Sequence, residues 1–181
     1  MATTTTALVT VEAFRRMEDP PGFRLELHNG EVVQVTRPKY KHGIIQHQIT
    51  WLLRKALKGQ GRALMEFPFR AKPEHELRVA DVGWVSKARD TAIDRDDNLS
   101  GSPDIVVEVL SPSNSIREMV KKRAICFGTG CQEFWLVDPV ECLVEVTPRN
   151  GTPLLYHNGD RIPVGSTTCA VDDIFSEEEL D

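Results

Sequence analysis

A glutamate at the centre of the run IVVEVL (Ile105–Leu110) stands where apolar side chains belong. Left unpaired in a core, its carboxylate would cost several kcal/mol or take up a proton. Glu108 therefore needs a buried cation, a hydrogen-bond network or a metal ion, and a salt-bridged core glutamate is the plain alternative. Asp81 is a second acid of this kind, set in RVADVGWV among Val79, Val82, Trp84 and Val85. Two acids inside two apolar strands can converge on one hard cation through oxygen ligands if the strands are neighbours. Glu26, on the polar face of FRLEL, is a third acid, with a solvent-facing strand position as its alternative. Lys122 follows the Glu108 run, and its neighbours three and four residues away are Glu118, Met119, Ile125 and Cys126. A stem buried among them would bring an ammonium to the acids, where it can orient a water and offset developing negative charge. An exposed helical lysine is the alternative.

Several elements must position these groups. Thr10 can cap a short helix carrying Val11, Phe14 and Met17, ended by Pro20-Pro21-Gly22. Phe23, Leu25 and Leu27 alternate with polar residues up to Asn29-Gly30, the strongest short hairpin signal, and a second strand follows through Val32, Val33 and Val35. His42 to Lys58 has Ile45, Ile49, Leu52, Leu53 and Ala56 at helical spacing, with His47, Trp51, Arg54 and Lys58 on another face. Strands are expected over Ala63–Phe69, Leu77–Val85, Ile105–Leu110 and Phe134–Asp138. Arg89–Pro103 is polar and reads as a surface loop. Ser111-Pro112-Ser113-Asn114 breaks the Glu108 strand and introduces a helix over Ser115–Phe127. Leu143–Val146 and short pieces near Leu154 and Ile162 read as antiparallel edge strands. The class is α/β (α+β): a mixed sheet with helices packed on it, in one domain over residues 1–181. Residues 1–9 read as a flexible lead-in and 172–181 as an acidic tail.

A length of 181 residues suits one core. There is no apolar run long enough to span a membrane, and the start MATTTTALVT does not read as a secretory signal. Cys126, Cys131, Cys142 and Cys169 form no CxxC pair, so free thiols in a reducing cytoplasm are expected. The net charge of −5 argues against a general polyanion binder, yet Arg37 to Lys72 carries nine Lys/Arg against one acid, Glu66. That local excess is a candidate phosphate footprint, with a solvated helix as its alternative. His42 could touch a phosphate at the start of the basic helix or simply lie in the cap region. The sequence lacks GxSxG, P-loop and GxGxxG patterns, which removes those chemistries.

The motifs LELHNGEVV, KHGIIQHQI, RVADVGWVS, SPDIVVEVLSPSNSIREMVKKRAICF and GCQEFWLVDP together resemble the Uma-two family of restriction-endonuclease-like proteins, in the PD-(D/E)XK nuclease superfamily. The resemblance spans about Thr10 to Ile174. It implies a restriction-endonuclease-like mixed sheet flanked by helices, with Glu26, Asp81 and Glu108 at the acidic positions. Leu110 stands where the superfamily lysine usually falls, and Lys122 matches the position that replaces it. Ala80 stands where proline is usual and Cys126 where tyrosine is common.

On this reading Asp81, Glu108 and the Val109 carbonyl hold one or two Mg²⁺, or Mn²⁺ in its place, with Glu26 as an outer or second-metal ligand. Lys122 activates the water. His42, Lys41, Arg54 and Lys58 contact nucleic acid. The expected activity is endonucleolytic hydrolysis of DNA, with a homodimer as the assembly suited to duplex cleavage. A catalytically inactive nucleic-acid-binding or protein-interaction module on the same fold is the rival reading.

Overall fold

The structure, a computed structural model, describes residues 8–112 and 114–178. Ser113 and the ends of the expected lead-in and tail lie outside the described residues. Thr10 caps α1 (Val11–Phe14) by accepting the Ala13 N–H at 3.2 Å. β1 (Phe23–His28) and β2 (Glu31–Thr36) form an antiparallel hairpin, turned by Asn29 and Gly30 with both φ values positive (52° and 80°). Val9 already donates to the Gly30 carbonyl, tying the lead-in to this turn.

α2 (Tyr40–Ala56) begins two residues before the expected His42. Then come β3 (Gly61–Arg70), β4 (Arg78–Ser86), α3 (Lys87–Thr91), β5 (Leu99–Ser100) and β6 (Ile105–Val109). α4 (Ile116–Gly128), β7 (Glu133–Asp138), β8 (Leu143–Pro148) and β9 (Leu154–Tyr156) follow. The chain continues through β10 (Arg161–Val164), β11 (Thr167–Ala170) and α5 (Val171–Phe175). Seven strands form the mixed sheet, in the order β5-β3-β4-β6-β7-β8-β9.

β6 and β7 are parallel, so α4 must cross over one face of the sheet between them. All five β6 residues are buried because both faces are covered. On one side Val107 and Val109 pack with Ile45, Ile49, Leu52 and Leu53 of α2 and with Val171 and Ile174 of α5. On the other, Val106 and Phe134 pack with Cys126, Ile125 and Phe127 of α4. α4 starts at a complete capping box: Ser115 Oγ accepts the Glu118 N–H, and the Glu118 carboxylate accepts from the Ser115 N–H.

Three expectations need correction. The segment Arg89–Pro103 is not a plain loop, because α3 and β5 lie in it or overlap it. Its acids pair with cations of β3: Asp90 with Arg62 at 2.9 Å and Asp97 with Arg70 at 2.8 Å, while Leu99 is buried. The piece near Ile162 pairs with Cys169 in a separate β10–β11 hairpin rather than edging the main sheet. β8 is an interior strand between β7 and β9, which accounts for the burial of Val144 and Val146.

Candidate metal centre

β4 and β6 are antiparallel neighbours with Val82 opposite Val107. One further step in that register brings Asp81 opposite Glu108. There the ladder gives way: the Val109 N–H donates to Asp81 Oδ2 at 2.7 Å. On the other side of β4 the pairing runs Met65↔Val82 and then Phe67↔Ala80, passing over Glu66 and Asp81. Glu66 has φ +47°, a left-handed conformation that costs a non-glycine residue of order 1–3 kcal/mol. The alternation of faces slips there, since Leu64 and Phe67 pack in the same cluster although three residues apart. Asp81 thereby meets α2 as well as β6.

The side chains form two groups of contacts within electrostatic reach of each other. Lys122 Nζ donates to Glu108 Oε2 at 2.7 Å and to the Val79 carbonyl at 2.8 Å. Glu108 Oε1 is buried without a hydrogen-bond partner. Gln46 Nε2 donates to Asp81 Oδ1 at 3.1 Å and to Glu66 Oε1 at 2.6 Å. Arg24 reaches both Glu66 and Glu26, the latter at 3.0 Å, and His28 Nε2 lies 2.9 Å from the other Glu26 oxygen. His42 Nε2 is 3.3 Å from Asp81 Oδ1, an ion-pair distance without hydrogen-bond alignment.

The electrostatics follow from burial and charge. Burial pushes Glu108 up to about 8, with Asp81 and Glu26 adding to the rise and Lys122 opposing it. Burial alone would raise Glu26, but His28, Lys122 and Arg24 outweigh it and bring Glu26 down to about 2. Asp81 is likewise lowered despite burial, by His42, Lys122 and the Val109 N–H. Burial works against the Lys122 charge, but Glu108, Glu26 and Asp81 together raise its affinity for the proton. Four carboxyls, Glu26, Glu66, Asp81 and Glu108, thus share one ammonium and one guanidinium, with His28 beside Glu26 and His42 beside Asp81.

Asp81, Glu108, Lys122 and Glu26 are thus brought together, and Val109 lies against Asp81 through its N–H. Glu26 is 3% exposed, so it is not a solvent-facing strand residue, and both its oxygens have partners. His42 joins the group, and Lys41 is beside it on the first turn of α2. Arg54 lies about 18 Å farther along the helix axis at 1.5 Å per residue, with its Nε donating to the Ala63 carbonyl. Lys58 follows the helix end, so neither residue reaches the acids. The basic stretch is also partly committed internally: Arg37 to Asp19, Arg62 to Asp90, Arg70 to Asp97 and Lys72 to Asn29.

Sequence reasoning missed Gln46, Glu66 and Arg24. Glu66 had a signal, as the lone acid in the basic stretch. Gln46 had one too, since it adjoins Ile45 on the face packed against the sheet.

The donor set suits a hard divalent cation. Glu108 Oε1 is an orphaned buried acceptor, and carboxylate and carbonyl oxygens are the ligands Mg²⁺ prefers. Among the described residues no three His, Cys, Asp or Glu side chains form a metal-holding group by themselves. Mg²⁺ does not require one, because it keeps several waters and binds through one or two carboxylates.

The chain matches the Uma2 family, described as "Putative restriction endonuclease", over residues 11–168. It belongs to that family. The fold is shared with a solved structure described as a "putative nuclease belonging to DUF820" from Anabaena variabilis ATCC 29413. The two chains are 22% identical, with a TM-score of 0.76 over 92% of this chain and 97% of that one. Comparison with curated proteins gives no match. The Uma2 assignment and the mixed sheet together support a nuclease.

Proposed function

We propose that this Uma2 protein is a Mg²⁺-dependent endodeoxyribonuclease, with Mn²⁺ able to replace Mg²⁺. The observation that carries the reading is the state of Glu108. One oxygen is bonded to Lys122 and the other is buried without a partner, beside Asp81.

Asp81, Glu108 and the Val109 carbonyl would hold the cation, and Glu26 would act from outside through water. When bound, the ion supplies Lewis acidity and stabilises charge on a phosphoryl oxygen. Lys122 is pinned between Glu108 and the Val79 carbonyl, so its third N–H can orient an attacking water and its charge opposes the growing negative charge. His42 and Lys41, on the first turn of α2, would contact the phosphates beside the scissile bond. Arg54 and Lys58 can serve only a substrate that runs on along α2. Cleavage of both strands of a duplex calls for two such centres, which favours a two-fold dimer.

No helix among the described residues is long and apolar enough to cross a membrane, and the four cysteines are free thiols. Both facts accord with our placing the enzyme in the reducing cytoplasm.

The test is cleavage of supercoiled plasmid and single-stranded DNA with Mg²⁺, Mn²⁺ or EDTA, comparing wild type with Asp81→Asn and Lys122→Ala. Metal-dependent nicking lost in both variants supports the reading. Folded wild type that binds DNA without cutting, independently of metal, replaces it with the nucleic-acid-binding module.

A further inference from the structure

Gln46 sits on α2 with 1% exposure, between two carboxylates on neighbouring strands. Asp81 and Glu66 share one position along the β3–β4 pair, where like charges repel. Both Gln46 contacts are to carboxylate oxygens, so its NH₂ group must face them, one hydrogen to each. The nitrogen stands 2.6 and 3.1 Å from the two acids, in the space an ion bridging those oxygens would occupy.

We infer that Gln46 is a positioning residue that takes the place of a second cation between Asp81 and Glu66, so that the centre accepts one divalent ion and no more. This rests on the metal-dependent reading proposed above. Two observations support it. The amide satisfies both acids without adding charge. Glu66 keeps a strained left-handed backbone opposite Asp81, and Arg24 holds its remaining oxygen. Asp81 is thereby fixed at both oxygens, by Gln46 on one and the Val109 N–H on the other.

The test is the number of Mn²⁺ ions bound per chain, measured on the full-length protein by isothermal titration calorimetry and by electron paramagnetic resonance, which separates isolated from paired ions. Wild type is expected to bind one, with a mononuclear spectrum. Gln46→Glu has nearly the same shape but turns two acids into three, so it is expected to bind two with a coupled spectrum. The second ion should vanish again in Gln46→Glu combined with Glu66→Gln. A purely structural role for Gln46 would not change the stoichiometry in this way. If Gln46→Glu does not fold by circular dichroism, Gln46→Ala is measured with the same expectation. Two ions in wild type, or one ion in the folded Gln46 variant, overturns the inference and leaves the metal-dependent reading standing. No Mn²⁺ bound by folded wild type removes that reading, and the inference with it.

Discussion

Removing the Glu108 charge should change how the metal-free protein responds to pH. Burial holds this carboxyl at about 8, against an ordinary value of 4.5. A raised acid pKa means that the folded protein grips the proton more tightly than the unfolded chain does. Its contribution is therefore fully present below pH 4.5 and is lost as pH rises through 8. Inside that window the unfolded chain has released a proton that the folded one keeps, which costs about 1.4 kcal/mol per pH unit. Between pH 5.5 and 7.5 the loss is about 2–3 kcal/mol on this basis. The assay is urea unfolding in EDTA at pH 5.5, 6.5 and 7.5, comparing wild type with Glu108→Gln. Every other titratable group is common to both proteins, so the difference between the two slopes isolates Glu108. Added Mg²⁺ should flatten the wild-type slope, because the ion takes over from the proton. Parallel slopes in EDTA would refute the claim that burial outweighs Lys122 and keeps Glu108 protonated.

Glu26 should behave in the opposite sense. Its pKa is depressed to about 2, so its stabilisation is present above pH 4.5 and disappears as pH falls to 2, with up to about 3 kcal/mol at stake. Acid unfolding of Glu26→Gln against wild type checks this, and the two curves should converge near pH 2. Ser115→Ala removes the cap of α4 and should cost about 1 kcal/mol, a fall in Tm of about 2–4 °C by calorimetry. Leu53→Ala, at a fully buried α2 position against the sheet, should cost about 2–5 kcal/mol in chemical denaturation while leaving the Glu108–Lys122 contact in place.

Much of this arrangement was legible in the residues. An acid inside IVVEVL is a contradiction that only a partner resolves, and the partner proved to be Lys122. The hairpin, α2, α4 and the buried strands followed from periodicity, Asn-Gly and capping signals, because those features are local. What escaped was non-local. Glu66 meets Asp81 because β3 pairs with β4 in one register, which no short window of sequence reveals. Its left-handed backbone is likewise imposed by tertiary contacts, since glutamate has no preference for it. Arg89–Pro103 looked like a loop because Asp90 and Asp97 find their partners only when β3 supplies Arg62 and Arg70. The Arg37–Lys72 charge excess overstated a phosphate surface, because a sum of charges does not record which cations already have partners.

The lysine rides on a helix, not on the strand that carries Glu108. Its distance from that carboxylate is therefore set by how α4 beds onto Val106 and Phe134, with Cys126 one turn further along in full burial. A methyl group gained or lost in that apolar bed would tilt the helix and move the ammonium by a fraction of an ångström. Under the proposed activity, residues with no hydrogen bond to the acids would thus act as a fine adjustment of turnover. A random library screened for rate should yield hits at Cys126 and Phe134, and they would look like stability mutations until the kinetics were measured.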